Sequence, residues 1–135
     1  MIRVTGSRLF LDSSVWLGYF LGNIPETQKI IDSEETTLFT SIISLHEVFK
    51  RLKKLGRTEK EIRQAVRLIE DNSIIVELNK EIAITAAKNC EKYGLHTIDS
   101  LIYSSAMETR TTFITADNDF RKTPRTRIIK IRKFN

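Results

Sequence analysis

Residues 96–106 read HTIDSLIYSSA, from His96 to Ala106. Ile98, Leu101, Ile102 and Ala106 recur at helical spacing and set an apolar face toward a core, with Thr97 as the N-cap. Asp99 stands in the first turn of that helix. The helix dipole favours an acid there by about 0.3 to 1 kcal/mol, which by itself accounts for the residue. Whether Asp99 does more depends on where the other carboxylates of the chain fall.

The helix leads into a β-rich run at residues 111–115, and the same alternation extends through the rest of the chain. Residues 8–11 read as a strand, 13–21 as a helix, 26–32 as a short helix after the Gly22-Asn23 break, and 37–41 as a second strand. The next helix, residues 44–55, carries Leu45, Val48, Phe49, Leu52 and Leu55 on one stripe and stops at Gly56. Thr58 caps a second helix, Glu61 completes a capping box, and Ile62, Ala65, Val66 and Ile69 form its buried face, so the two helices make a hairpin. Residues 74–78 read as a third strand and 80–93 as a helix ended by Gly94. Residues 127–132 read as a fifth strand, charged enough to lie at an edge. Strands alternating with longer helices predict an α/β fold: a parallel sheet of four or five strands with helices on both faces.

A chain of 135 residues is read as one domain, residues 1–135, long enough for one core. Its 41% hydrophobic content and two prolines exclude a low-complexity or disordered chain. The longest uncharged run, residues 13–25, is too short to span a membrane, and Asp12 interrupts the apolar N-terminal segment, so no membrane partner and a cytoplasmic location are expected. The single cysteine, Cys90, follows Ala86 and Ala87 in a helical pattern and reads as a small buried residue with no internal disulfide. A net charge of +5 and the run Arg121, Lys122, Arg125, Arg127, Lys130, Arg132 and Lys133 without an acid point to an anionic partner, nucleic acid first.

In open parallel sheets, functional groups gather beyond the carboxyl ends of the strands. Asp12 follows the first strand, Asp117 and Asp119 follow the fourth, and Glu47 lies one turn into the helix after the second. Asp99 opens the helix before the fourth strand and reaches the same end. Singly, each has an ordinary account: Asp12 and Asp117 as caps, Asp119 as a turn residue, Glu47 as an exposed ion pair with Arg51. Together they repel, by about 3 kcal/mol for two unit charges about 5 Å apart at an effective dielectric near 20. Converging carboxylates therefore require a cation, and an all-oxygen donor set suits Mg2+ or Mn2+ rather than zinc.

Other chemistries fail on specific residues. His46-Glu47 begins a zinc-protease pattern, but its second histidine position holds Lys50. A phosphoacceptor receiver needs an aspartate after its middle strand, where this chain has Glu77-Leu78-Asn79. A dehalogenase-type phosphatase needs one at Ser14. His46 and His96 adjoin the acids without forming a nucleophile set.

The segments LFLDSSVWLGYF with Asp12, SIISLHEVFKRL with Glu47, LHTIDSLIYSSA with Asp99 and TFITADNDF with Asp117 and Asp119 resemble, in order and spacing, the four acidic motifs of PIN-domain nucleases. The resemblance covers essentially the whole chain, and a lone domain of this size is most similar to VapC-type toxins. It implies a PIN-like three-layer sandwich and a Mg2+- or Mn2+-dependent endoribonuclease, frequently homodimeric and inhibited by a cognate antitoxin. On this basis Asp12, Glu47, Asp99 and Asp117 are the catalytic acids. Asp12, Asp99 and Asp117 hold the metal, Asp119 is an accessory ligand, and Glu47 completes the ring and orients the attacking water. Ser13 and Thr115 are expected to position the carboxylates. Lys50, Arg51, Lys54, Arg121, Lys122 and Arg125 flank the motifs and are the residues expected to hold RNA. Trp16, Tyr19 and Phe20 offer a surface for a second copy or an antitoxin segment, with core packing as the account for at least one of them. The alternative is a PIN-like module that binds RNA or protein without cutting.

Overall fold

Phe10 and Leu11 are neighbours in sequence and both fully buried, because successive strand residues point to opposite faces and both faces of this strand are covered. The computed structural model describes residues 6–130. In it β1 (Arg8–Leu11), β2 (Thr37–Ser41), β3 (Ile74–Val76), β4 (Thr112–Thr115) and β5 (Thr126–Ile128) form one sheet in the order β3-β2-β1-β4-β5. Every pairing is parallel, with Phe10 beside Phe39 on one side and Phe113 on the other. The chain steps outward from β1 through β2 to β3, then returns to the far side of β1. The switch point between β1 and β4 is therefore where such sheets open a crevice at their carboxyl ends.

Six helices cover the sheet: α1 (Ser13–Leu21), α2 (Pro25–Asp32), α3 (Ile42–Lys54), α4 (Glu59–Asn72), α5 (Lys80–Tyr93) and α6 (Thr97–Glu108). One core joins Leu11 and Ile114 to Val15 and Trp16 of α1, Val48 and Leu52 of α3, and Ile62 and Ile69 of α4. The opposite core joins Phe10, Phe39 and Phe113 to Ile102, Tyr103 and Ala106 of α6. The α1–α2 turn is tight: a Cβ on Gly18 would lie 2.2 Å from Ile24 Cδ1, and Gly22 closes α1 at φ 69°. The capping box of Thr58 and Glu61 forms as the sequence predicts. The layered α/β architecture, the parallel sheet, the α3–α4 hairpin and the edge position of β5 all match the sequence reading.

Some boundaries and burials differ. α3 begins at Ile42 instead of Ser44 because the Ser41 hydroxyl caps it, accepting from Ile43 N–H at 3.1 Å. Its apolar stripe ends at Leu52, since Leu55 is the C-cap and is exposed. His96, not Thr97, is the N-cap of α6, and its side chain makes no capping bond. Ile98 is exposed and Leu101 only half-buried. α6 is instead sandwiched between the sheet and α5 through small hydroxyl residues: Ser100 donates to Ala86 O at 2.6 Å, and Asn89 donates to Ser104 Oγ at 2.9 Å. Cys90 is half-buried, because α5 packs on one face only, through Ile82 and Ala86. β3 stops at Val76, β4 starts at Thr112, and β5 ends at Ile128. Positions 131 and 132 of the expected fifth strand lie outside the described residues. Trp16 is core, its indole N–H donating to Thr40 Oγ1 at 3.1 Å, while Tyr19 and Phe20 stay half-buried.

Candidate active site

At the switch point, Asp12 leaves β1 in an extended conformation at the N-cap position of α1, yet its side chain makes no capping bond. Two hydroxyls claim it instead. Thr115 Oγ1 and Ser14 Oγ each donate to Asp12 Oδ2 at 2.8 Å. Each hydroxyl in turn accepts a backbone N–H from the end of β4: Ser14 from Ala116 at 2.9 Å and Thr115 from Asp117 at 3.0 Å. A hydroxyl can donate once and still accept, so each bridges the carboxylate to the neighbouring strand end. Asp12 is 4% exposed, and Thr115 is fully buried.

Asp117 and Asp119 follow β4 directly. Asp117 Oδ1 accepts the Asp119 N–H at 2.9 Å and caps a short turn, Asn118–Phe120, that carries Asp119. Asp99, in the first turn of α6, meets them: one carboxylate oxygen from each of Asp99, Asp117 and Asp119 lies within 4.8 Å of the others. Glu47 arrives from α3 and accepts the Ser13 hydroxyl at 2.8 Å. Among the described residues it makes no ion pair with Arg51, so the exposed-pair account of Glu47 does not hold.

The electrostatics record this convergence. Burial pushes the Asp99 carboxyl up to about 6, and Asp12, Asp117, Glu47 and Asp119 all add to the rise. Burial also raises Asp12 to about 6, with Glu47 adding and the Thr115 and Ser14 hydroxyls opposing. Of the other carboxylates, Asp12 is the charge that most perturbs Asp99. Among the described residues no cationic side chain pairs with any of the five. An uncompensated, partly desolvated, all-oxygen donor set fits a hard divalent cation.

Both expected basic groups are exposed, but they occupy different elements. Lys50, Arg51 and Lys54 line a cleft of about 310 Å3 with Ser13, Leu17, His46, Glu47 and Ile98. Arg121, Lys122 and Arg125 lie on the segment between the Asp119 turn and β5, where Tyr103 Oη donates to Pro124 O at 2.8 Å. His96 is exposed and starts α6. Ser14, which in sequence serves only to exclude a phosphatase pattern, proves to be a positioning residue for Asp12. Its only signal for that role is a hydroxyl two residues after Asp12 at a strand-to-helix turn, and that gains meaning once β4 is known to lie alongside.

The family model described as PIN domain matches residues 9–126. Several solved structures share the fold. A toxin–antitoxin complex from Klebsiella pneumoniae superposes with a TM-score of 0.74 at 24% identity, covering 93% of this chain and 100% of that one. VapBC2 from Rickettsia felis, bound to a DNA fragment from its promoter, gives 0.74 at 15% identity, covering 92% and 98%. VapC20 from Mycobacterium tuberculosis, a sarcin–ricin-loop-cleaving toxin, gives 0.69 at 14% identity, covering 93% and 99%. No curated protein sequence matches the chain.

Proposed function

The chain belongs to the PIN-domain family, and from that premise we propose that it is a Mg2+- or Mn2+-dependent endoribonuclease, the toxin of a toxin–antitoxin pair. The observation that carries this is the meeting of Asp12, Glu47, Asp99, Asp117 and Asp119 at the β1/β4 switch point, two of them raised to about 6. In this reading residues 1–135 act as one nuclease unit. Asp12, Asp99 and Asp117 hold the ion and Asp119 assists. When bound, such an ion lowers the pKa of water and neutralises charge on the phosphate.

The chain's own residues set the geometry. Thr115 and Ser14 fix the Asp12 carboxylate, and Ser13 fixes Glu47, which orients the attacking water. Lys50, Arg51, Lys54, Arg121, Lys122 and Arg125 take RNA phosphates on either side. An antitoxin and a second copy of the chain are the proposed protein partners, by likeness to the VapBC assemblies and the Klebsiella complex. No helix among the described residues is long and apolar enough to cross a membrane, and action in the cytoplasm is proposed by likeness to the same toxin–antitoxin assemblies.

The test is cleavage of a structured-RNA pool with Mn2+, Mg2+ or EDTA, beside an Asp99→Asn variant purified identically. Metal-dependent cutting that vanishes in the variant is expected. Equal cutting by both overturns the reading, and RNA binding without cutting in either replaces it with the non-cleaving module.

A further inference from the structure

The cleft beside the acids has two unlike walls. One wall is the exposed side of α3, where His46, Lys50 and Lys54 recur at intervals of four and Arg51 stands beside them. The other is apolar, made by Leu17 of α1 and Ile98 of α6. Ile98 is 39% exposed on a helix otherwise largely buried, so core packing does not account for it. The cleft is also joined to the acids through the chain: Ser13 follows Asp12, Ile98 precedes Asp99, and Glu47 itself lines it, held by the Ser13 hydroxyl.

We infer that this cleft is a nucleotide subsite, holding the one nucleotide next to the scissile phosphate; the inference rests on the nuclease reading and deepens it. The base lies against Leu17 and Ile98, while its phosphate is taken by Lys50 and Lys54 and partnered by Arg51. Three exposed cations outweigh the single carboxylate of Glu47, so the charge suits an anion. The volume of about 310 Å3 is at the small end of ligand clefts and fits one nucleotide rather than a longer segment. An apolar wall facing a cationic one distinguishes a nucleotide from bare phosphate.

The experiment is an NMR titration of the full chain, isoleucine-methyl-labelled and kept in EDTA, with each of the four nucleoside 5′-monophosphates, ribose 5-phosphate and inorganic phosphate. The Ile98 methyl is assigned with Ile98→Val. At least one nucleotide at millimolar concentration is expected to shift that methyl saturably, ribose 5-phosphate to leave it in place, and Lys50→Ala with Lys54→Ala to weaken the response fivefold or more. No shift with any nucleotide, or an equal shift with ribose 5-phosphate, overturns the subsite. Because EDTA precludes cutting, this outcome is read independently of the metal-dependent cleavage assay.

Discussion

The Ser14 hydroxyl donates to Asp12 Oδ2 at 2.8 Å while accepting the Ala116 N–H at 2.9 Å, tying the carboxyl ends of β1 and β4 together through one side chain. Ser14→Ala leaves the Ala116 N–H without its partner and the Asp12 carboxylate held by Thr115 alone, at a cost of about 1–3 kcal/mol in folding stability. Mn2+ affinity measured by calorimetry is expected to fall at least fivefold as well. A lower melting temperature with unchanged Mn2+ affinity would show the hydroxyl to be structural only.

The acids make the metal-free protein sensitive to pH in a definite direction. Asp12 and Asp99 sit at about 6 against an ordinary 3.8, so the fold favours their protonated forms. Stability from these groups is complete below pH 3.8 and is lost as pH rises through 6. Thermal melts in EDTA should show the midpoint falling from pH 5 to pH 7, with Mn2+ restoring it mainly at the higher pH. A midpoint that is flat or rising over that interval would refute the buried-carboxylate account.

Much of the fold was legible in the sequence because its signals are local. The Thr58–Glu61 box, Gly22, Gly56 and Gly94 punctuate the helices, and the strand runs are short and apolar on both faces. The acids were legible because the strand ends of a parallel sheet share one edge. What was hidden is whatever depends on the neighbour. Ser14 looks like any first-turn serine until Ala116 lies beside it, and α6 hides its burial because Ser100, Ser104 and Ser105 are polar in sequence yet packed against α5 and the sheet. Ile98, assigned to the core by its spacing, instead faces the cleft.

Asp99→Asn separates the two accounts of the opening stretch by the sign of its effect. If Asp99 served only the helix dipole, neutralising it would lower stability by about 0.3 to 1 kcal/mol. Facing Asp12, Asp117, Glu47 and Asp119, it instead repels, so the isosteric amide should raise the metal-free melting temperature at pH 7.5 by a few degrees. The stabilisation that Mn2+ gives the wild type should vanish in the variant. Paired melts with EDTA and Mn2+ check both halves.

RNA affinity should report the basic residues through its salt dependence. For single strands, log K falls with log salt at a slope of about −0.7 per phosphate contacted. Binding of a fluorescent RNA to the Asp99→Asn protein is expected to weaken steeply from 50 to 200 mM salt. Lys50→Ala with Lys54→Ala, which together hold one phosphate, should make the slope shallower by about 0.7. A slope unchanged by both substitutions would remove α3 from the RNA path.

The chemistry of the products follows from which groups can act on the nucleophile. Cleavage through the ribose 2′-hydroxyl requires a base at that oxygen and leaves a cyclic phosphate; histidine is the usual choice. Here His46 lies on the exposed wall of the cleft and His96 on the exposed start of α6, and neither hydrogen-bonds to the acids among the described residues. The group held at the acids is Glu47, fixed by Ser13 and able to orient a water. Water attack on the phosphorus, with departure of the 3′-oxygen, gives a 5′-phosphate and a 3′-hydroxyl. A substrate carrying a single 2′-deoxy sugar at the cut site should therefore still be cleaved, and end-group mapping should find 5′-phosphates. Cyclic phosphates, or complete protection by the 2′-deoxy sugar, would place the ribose hydroxyl in the attacking role and remove Glu47 from it.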